Sequence, residues 1–133
     1  MEKKNIDWSS LGFGYVTTDY RYVSMFRDGA WDAGQLTTDA NITMNECACV
    51  LQYAQSCFEG LKAYTTADGK IVCFRPDLNA ERMVQSAERL KMPPFPAERF
   101  LEAIKETVKA NAQWVPPYGS GASLYIRPYM FGF

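Results

Sequence analysis

The sequence predicts a mixed fold of helices and strands, in which a β-hairpin lies between two helices. Two short runs rich in apolar and β-branched side chains, Leu61–Thr66 and Lys70–Phe74, are separated by Ala67-Asp68-Gly69. Asp-Gly between two such runs is a strong hairpin signal, because glycine tolerates the positive φ that tight turns need. Amphipathic helical patterns precede and follow the hairpin. The predicted order along residues 53–82 is therefore helix end, turn, hairpin and helix.

The segment Met44–Ser56 is predicted to be a helix with one buried face, because its apolar residues recur at helical spacing. These residues are Cys47, Val50, Leu51 and Ala54. Asn41 or Thr43 is the expected N-cap, since both types can accept a hydrogen bond from a free backbone N–H of the first turn. Phe58-Glu59-Gly60 is expected to form the turn into the hairpin.

Two further helices are predicted after the hairpin. Leu78–Leu90 repeats the amphipathic pattern and follows Pro76, a residue suited to a first helical turn, with Asp77 as the expected cap. The prolines of residues 93–96 end this helix. Ala97–Ala112 carries the clearest apolar stripe and is predicted to be the next helix.

The remaining segments are predicted to be strands and loops. Tyr20–Phe26 is rich in aromatic and β-branched residues, which favours a strand that turns at Arg27-Asp28-Gly29 into the next short segment. The other assignments are a strand at Phe13–Thr18, a loop with an edge strand at Ala33–Asn41, and a strand at Ala122–Phe131. Pro128 within this last strand predicts a sheet edge or a bulge, since proline cannot donate to a β-ladder.

Composition excludes several function classes. The chain of 133 residues is 47% apolar, enough for one domain or part of a larger one. Its 14 basic and 15 acidic residues nearly balance, which argues against a nucleic-acid or anionic-membrane surface. No apolar run is long enough to span a membrane. The first ten residues lack the apolar stretch of a secretory signal, so a cytoplasmic location is expected.

The cysteine and histidine content limits the chemistry. Cys47, Cys49, Cys57 and Cys73 are expected to be reduced thiols that pack as small apolar side chains. Their spacing does not match a four-cysteine zinc site, so no metal site is predicted. The chain contains no histidine. Ser-His and Cys-His nucleophile systems are therefore excluded.

Two long motifs, FEGLKAYTTADGKIVCFRPDLNAERM and SLYIRPYMFGF, carry a resemblance to a known family. In this order and at this separation they resemble the N-terminal domain of branched-chain amino acid aminotransferases, which are fold-type IV enzymes that use pyridoxal 5′-phosphate. The similarity runs from Phe13-Gly14 to the end of the chain. It implies an α+β domain, with an antiparallel sheet flanked by helices, that closes over a larger C-terminal domain.

The resemblance also implies roles for individual residues. Arg82 matches the family arginine that binds the cofactor phosphate, a role suited to a permanently charged planar donor. Tyr125 and Arg127 match the Tyr-x-Arg of the substrate pocket, where the arginine meets the distal carboxylate of glutamate or 2-oxoglutarate. The aromatic positions of the pocket fall on Phe13 and Phe58, which line the side-chain site, and on Tyr53, which reaches toward the partner subunit in the family's homodimer. Glu59 is expected to make only a local hydrogen bond.

The family's Schiff-base lysine lies in the C-terminal domain, beyond Phe133, and none of the lysines in this chain matches it. No catalytic residue is therefore assigned here, and the isolated chain is expected to be inactive. The chain ends directly after an apolar, strand-like run, which predicts that it stops at a domain boundary. The main hypothesis is the N-terminal piece of an enzyme that transfers the amino group of leucine, isoleucine or valine to 2-oxoglutarate. The alternatives are a non-catalytic, self-associating module and a fragment of a D-amino acid aminotransferase or aminodeoxychorismate lyase.

Overall fold

The computed structural model describes residues 2–133, in which three α-helices accompany nine short strands. The helices are α1 (Cys49–Tyr53), α2 (Pro76–Arg89) and α3 (Ala97–Ala110), with single 3-10 turns at Trp8–Ser10 and Ala112–Trp114. The strands are β1 (Arg21–Val23), β2 (Phe26–Arg27), β3 (Ala30–Trp31), β4 (Gln35–Thr37), β5 (Ser56–Phe58), β6 (Leu61–Thr65), β7 (Ile71–Cys73), β8 (Leu124–Ile126) and β9 (Tyr129–Phe131).

Every strand pairing among the described residues is antiparallel. The central sheet has the order β7-β6-β8, and three two-stranded ribbons join β1 to β4, β2 to β3, and β5 to β9. This arrangement confirms the predicted α+β class with small antiparallel sheets and flanking helices.

The hydrophobic core lies between one face of the central sheet and helices α2 and α3. Its buried members are Leu61, Ala63, Ala80, Met83, Phe100, Ile104, Val108, Val115 and Ile126. In β6, Leu61 and Ala63 are buried whereas Lys62 and Tyr64 are exposed, because successive side chains of a strand point to opposite faces. The second face of the sheet is therefore left open.

Both Asp-Gly turns lie where the sequence predicts them. Asp28 and Gly29 connect β2 and β3, and both have positive φ, at 52° and 82°. Two consecutive left-handed residues fit the twist of a tight hairpin. Gly69, with φ at 80°, belongs to the turn between β6 and β7, in which Thr65 pairs with Ile71. The central hairpin prediction is confirmed.

The prediction of a helix over Met44–Ser56 is wrong at both ends. Only Cys49–Tyr53 is helical, and Ala48 takes the N-cap position that Asn41 or Thr43 was expected to take. The Asn45 side chain accepts a hydrogen bond from the Cys47 N–H at 2.8 Å, so a local turn competes with helix formation. Ala54 then adopts the left-handed conformation and ends the helix.

The surroundings of α1 also differ from the prediction. The predicted apolar face of this segment is largely exposed rather than buried. The residues that follow Ala54 form β5, which pairs with β9. The Phe58-Glu59-Gly60 turn therefore begins inside a strand rather than after a helix.

The predicted cap of α2 is also wrong. The helix begins at Pro76, and Arg75 occupies the N-cap with φ at 44°. Asp77 lies in the first turn instead, where its carboxylate accepts hydrogen bonds from Arg75 Nε at 3.0 Å and Nη2 at 2.7 Å. Pro76 is pre-set for the first helical position, so the helix starts two residues earlier than a cap at Asp77 would allow.

The N-terminal strand predictions are confirmed in part. Phe13–Thr18 is mostly exposed and forms no strand in the described part of the chain, so that prediction is wrong. Tyr20–Phe26 is split into β1 and β2, and the predicted edge strand is β4, which pairs with β1. The Asp32 carboxylate explains the split, because it accepts hydrogen bonds from the Ser24 hydroxyl at 2.8 Å and the Met25 N–H at 3.1 Å.

The C-terminal part of the chain also departs from a single strand. Arg127-Pro128 divides the predicted strand into β8, which pairs with β6, and β9, which pairs with β5. The break agrees with the absence of an N–H on proline. Helix α3 ends at Ala110, two residues before the predicted end, and Ala112–Trp114 continues as a 3-10 turn.

The four cysteines are free thiols in two environments. Cys57 and Cys73 are half-buried beside the core, but Cys47 and Cys49 are exposed, so their predicted burial is wrong. Residues 2–133 contain no cluster of three or more cysteine and acidic side chains close enough to hold a metal ion. None of the helices in this part of the chain is long and apolar enough to cross a membrane.

Candidate functional site

The stretch Phe58-Glu59-Gly60, which runs from the end of β5 to the start of β6, contributes to two groups of polar and aromatic side chains. Cys57 and Glu59 point toward α2, where the Cys57 thiol contacts the Met83 sulfur at 3.6 Å. Phe58 points to the opposite face, because side chains alternate along an extended chain. Consecutive residues therefore anchor one cluster on each side of the sheet.

The first cluster is an ion pair between Glu59 and Arg82. Arg82 Nε donates to Glu59 Oε1 at 3.0 Å, and Nη2 donates to Oε2 at 2.8 Å. This two-bond geometry fits a planar guanidinium to a carboxylate. Asn79, one turn earlier on α2, adds a hydrogen bond from Nδ2 to Glu59 Oε2 at 2.7 Å.

The two partners of this ion pair differ sharply in exposure. The Glu59 side chain is 10% exposed, whereas that of Arg82 is 55% exposed. Arg82 Nη1 makes no hydrogen bond to another residue in the described part of the chain. The guanidinium is thus held along one edge by a buried carboxylate and offers its other edge to solvent.

Both members of the pair are charged at neutral pH. Burial raises the pKa of Glu59, but hydrogen bonds from Arg82 and Asn79 outweigh it, so the net pKa lies below its ordinary value of 4.5. The hydrogen bonds that Arg82 donates to Glu59 in turn raise the pKa of Arg82. The cluster therefore combines a permanent cation with an anion that stays ionised well below neutral pH.

The second cluster joins Phe58, Tyr125 and Arg127 on the open face of the sheet. The Arg127 guanidinium carbon lies 4.3 Å from the centroid of the Phe58 ring and 5.2 Å from that of Tyr125. Arg127 Nη2 also donates to the Tyr125 hydroxyl at 3.0 Å. These contacts, which combine stacking with a hydrogen bond, restrict an otherwise exposed cation.

Gly60 makes room for this arrangement. A Cβ at residue 60 would lie 2.2 Å from the Tyr125 hydroxyl oxygen, far closer than real Cβ contacts. The φ of Gly60 is not in the left-handed region. The requirement for glycine here is therefore steric and comes from the close approach of Tyr125.

Gly60→Ala is expected to displace the Tyr125 ring and break its hydrogen bond to Arg127, at a cost of about 1 kcal/mol of stability. The measurement is the NMR signal of the Tyr125 ring in tyrosine-labelled protein, together with urea denaturation. Gly12→Ala is the matched control, because a Cβ at residue 12 meets nothing within 4 Å. Unchanged Tyr125 signals in the Gly60 variant would contradict this steric explanation.

The structure brings some of the predicted site residues together and leaves others apart. Phe58, Tyr125 and Arg127 form one cluster, and Arg82 is attached to it through Glu59, the neighbour of Phe58. Phe13 and Tyr53 belong to neither cluster, since Phe13 is fully exposed and Tyr53 is 82% exposed.

Other residues of the same segments take no part in the two clusters. Arg75 pairs with Asp77, and Arg89 is exposed on the surface. Lys62 is exposed on β6 opposite Tyr125.

The prediction that Glu59 makes only a local hydrogen bond is wrong. Its partners on α2 lie 20 and 23 residues away, and its own backbone N–H donates to Pro128 O at 2.8 Å. A sequence signal does exist, because Glu59 is the one acidic residue in the otherwise apolar and small stretch from Ser56 to Leu61. A carboxylate in such a stretch requires a partner when it is buried.

Comparison with known proteins identifies relatives of this chain. No family model matches the chain. The branched-chain-amino-acid aminotransferase of Haemophilus influenzae is 54% identical over 129 residues, which cover 97% of this chain and 38% of that protein. The chloroplastic branched-chain-amino-acid aminotransferase 5 of Arabidopsis thaliana is 51% identical over 132 residues, or 98% of this chain and 32% of the relative.

Solved structures agree with these sequence relatives. The branched-chain aminotransferase of Thermoproteus uzoniensis, solved with norvaline, superimposes with a TM-score of 0.59 at 28% identity over 83% of this chain and 33% of that protein. A second branched-chain amino acid aminotransferase, complexed with N-(5′-phosphopyridoxyl)-L-glutamate, gives a TM-score of 0.59 at 34% identity, over 72% of this chain and 30% of that enzyme.

The chain spans about a third of the length of the proteins that it matches. The relatives named above are transaminases, and the similarity extends along nearly all of the 133 residues. Sequence and fold therefore agree: over nearly its whole length, this chain is similar to part of the branched-chain amino acid aminotransferases.

Proposed function

We propose that residues 1–133 form the N-terminal part of an enzyme that transfers the amino group of leucine, isoleucine or valine to 2-oxoglutarate through pyridoxal 5′-phosphate. The observation that carries this proposal is the Arg82 guanidinium, held along one edge by buried Glu59 and open along the other. Such an edge fits a phosphate group, which accepts paired hydrogen bonds from a planar donor.

Arg82 would hold the phosphate of the cofactor, and the two Glu59 contacts leave donors free for that purpose. When bound, pyridoxal phosphate acts as an electron sink for the bonds broken at the substrate α-carbon. We assign no catalytic role to the lysines of this chain and expect residues 1–133 alone to be inactive. The Schiff-base lysine would come from the part of the enzyme that these residues do not include.

The cluster on the open face of the sheet suits the substrates. Arg127 supplies a cation and Tyr125 a hydroxyl for a carboxylate, while Phe58 adds an apolar wall for a branched side chain. The two solved relatives hold norvaline and a phosphopyridoxyl glutamate, one ligand with an apolar side chain and one with an acidic side chain. We propose that this cluster binds both kinds of substrate, one after the other.

Phe13 and Tyr53 have a different place in the proposal. Both side chains are almost fully exposed, so they are available for contacts beyond this chain. We propose that Phe13 contributes to the wall of the substrate pocket, and that Tyr53 reaches toward the site of the second subunit in a homodimer. We also propose that the enzyme is cytoplasmic.

The test of this function uses a completed enzyme, defined as residues 1–133 joined to the remainder of the Haemophilus influenzae relative. We expect it to bind pyridoxal phosphate and to form glutamate from leucine and 2-oxoglutarate, whereas residues 1–133 alone form none. D-Leucine should not serve as the donor. Failure of the completed enzyme to bind the cofactor, or a preference for D-amino acids, would reject the assignment.

Arg127→Gln in the completed enzyme is expected to raise the KM for 2-oxoglutarate by about tenfold or more, because one charge-assisted contact to the distal carboxylate is lost. The KM for leucine, whose side chain is apolar, should change much less. The measurement is steady-state kinetics with each substrate varied in turn. Arg89→Ala, an exposed arginine at the end of α2, is the control and should change neither value. Equal changes in both KM values would remove Arg127 from the distal carboxylate site.

A further inference from the structure

The buried carboxylate of Glu59 presents an electrostatic contradiction. Arg82 and Glu59 together carry no net charge, yet this pair is proposed to attract the dianionic phosphate of the cofactor. A lone arginine would attract phosphate more strongly at the same distance, since the carboxylate repels it. The carboxylate must therefore offer something that outweighs its repulsion, and its contacts indicate what that is.

Glu59 is fixed from three directions. Its two oxygens accept from Arg82 Nε and Nη2, Oε2 also accepts from Asn79 Nδ2 at 2.7 Å, and its backbone N–H donates to Pro128 O at 2.8 Å. Asn79 is itself buried, with 6% of its surface exposed, and its Nδ2 lies 3.2 Å from Gly60 O. The carboxylate is thus part of the rigid framework, whereas the guanidinium that it holds is half-exposed.

We propose that Glu59 is a positioning residue, which fixes the orientation of Arg82 so that its free edge faces the cofactor phosphate. This inference rests on the proposed function. A free arginine side chain loses much rotational freedom when it binds a ligand, and a side chain fixed in advance loses less. The planar fork can present one edge to the carboxylate and the other to phosphate at the same time.

Glu59→Gln separates orientation from charge, because the two effects have opposite signs. The substitution makes the site more positive by one unit, so a purely coulombic site would bind phosphate more tightly. The amide, however, has one oxygen and one NH2 group, so one of the two parallel donors of Arg82 would face another donor and the paired geometry would be lost. Loss of the fixed orientation therefore predicts weaker binding despite the more favourable charge.

The experiment compares pyridoxal phosphate with pyridoxal, which lacks the phosphate, on the apo form of the completed enzyme. Glu59→Gln is expected to weaken the binding of pyridoxal phosphate about tenfold, the effect of losing one charge-assisted hydrogen bond. The affinity for pyridoxal should not change, because pyridoxal has no phosphate for Arg82 to bind. Inorganic phosphate, used as a competitor, should lose affinity in the same proportion as pyridoxal phosphate.

Asp77→Asn is the matched control. Arg75 and Asp77 form an ion pair of the same geometry, with Nε to Oδ1 at 3.0 Å and Nη2 to Oδ2 at 2.7 Å, at the exposed start of the same helix. This substitution should leave both affinities unchanged. Asn79→Ala is a second variant, which keeps the carboxylate but removes its hydrogen bond from Asn79. It should also weaken the binding of pyridoxal phosphate, but by less than Glu59→Gln.

The outcomes separate this inference from the proposed function. Unchanged or tighter binding of pyridoxal phosphate to the Glu59→Gln enzyme would overturn the positioning role. Equal losses for pyridoxal and pyridoxal phosphate would overturn it as well, since they would indicate a general structural effect. If Arg82→Ala left the affinity for pyridoxal phosphate intact, the phosphate site itself would be wrongly assigned, and the proposed function would fail with it.

Discussion

Arg82→Ala is expected to weaken the binding of pyridoxal phosphate to the completed enzyme by about 100-fold, which corresponds to about 2.7 kcal/mol. Two effects add. The substitution removes the donors proposed for the phosphate, and it leaves the Glu59 carboxylate without its cationic partner. That carboxylate is 10% exposed and would then repel the phosphate. The measurement is a titration of the apoenzyme followed by the absorbance of the cofactor.

A double variant tests the second of these effects. Removing the charge of Glu59 in the Arg82→Ala background, with Glu59→Gln, should restore part of the lost affinity, because the unpaired anion is gone. The same Glu59→Gln change is expected to weaken binding when Arg82 is present, so its effect should reverse sign between the two backgrounds. Arg75→Ala serves as the control for loss of an arginine near α2. Affinity that is the same in the Arg82→Ala and unsubstituted enzymes would refute the phosphate role.

Phe100→Ala is expected to lower the free energy of unfolding of the 133-residue chain by about 3–5 kcal/mol. Phe100 lies on α3 with 4% of its surface exposed, within the core that α2, α3 and the central sheet enclose. Its truncation removes apolar contacts and leaves a cavity that close-packed neighbours fill only in part. The measurement is the urea concentration at the midpoint of unfolding, followed by circular dichroism.

Phe74→Ala is the matched control for this stability prediction. It removes the same side chain from the end of the hairpin, where 85% of the residue is exposed. A change within about 0.5 kcal/mol is expected, as for surface substitutions that break no specific contact. Similar losses in the two phenylalanine variants would show that the core has been wrongly identified.

Local signals were sufficient for the elements whose structure depends on neighbours in sequence. The Asp28-Gly29 and Asp68-Gly69 turns lie where predicted, because Gly29 and Gly69 readily adopt the left-handed conformation that each turn needs. Helix α3 follows its apolar stripe closely. By contrast, the helix predicted from Met44 fails because a single side chain, Asn45, captures a backbone N–H that the helix would have used. The spacing of apolar residues, from which the helix was predicted, contains no information about such competing hydrogen bonds.

The candidate site was predictable only in part, for a related reason. The motifs identify Arg82, Tyr125 and Arg127, and the alternation of side chains explains why the last two share a face. The importance of Glu59 depends on contacts with a helix about twenty residues away, as the 20-residue separation from Asn79 illustrates. Nothing in the local pattern at Glu59 specifies which arginine it meets, since Arg75, Arg82 and Arg89 are all within reach of a folding chain.

The hydrogen bond from the Glu59 N–H to Pro128 O has a mechanical consequence. It connects Glu59, the residue that pairs with Arg82, to Pro128, the residue after Arg127 at the break between β8 and β9. Groups within one rigid unit keep their mutual distances when the unit moves. This bond therefore constrains the distance between Arg82, the proposed phosphate donor, and Arg127, the proposed carboxylate donor. In the proposed enzyme, these two arginines would keep their separation if this part of the chain moves as one unit.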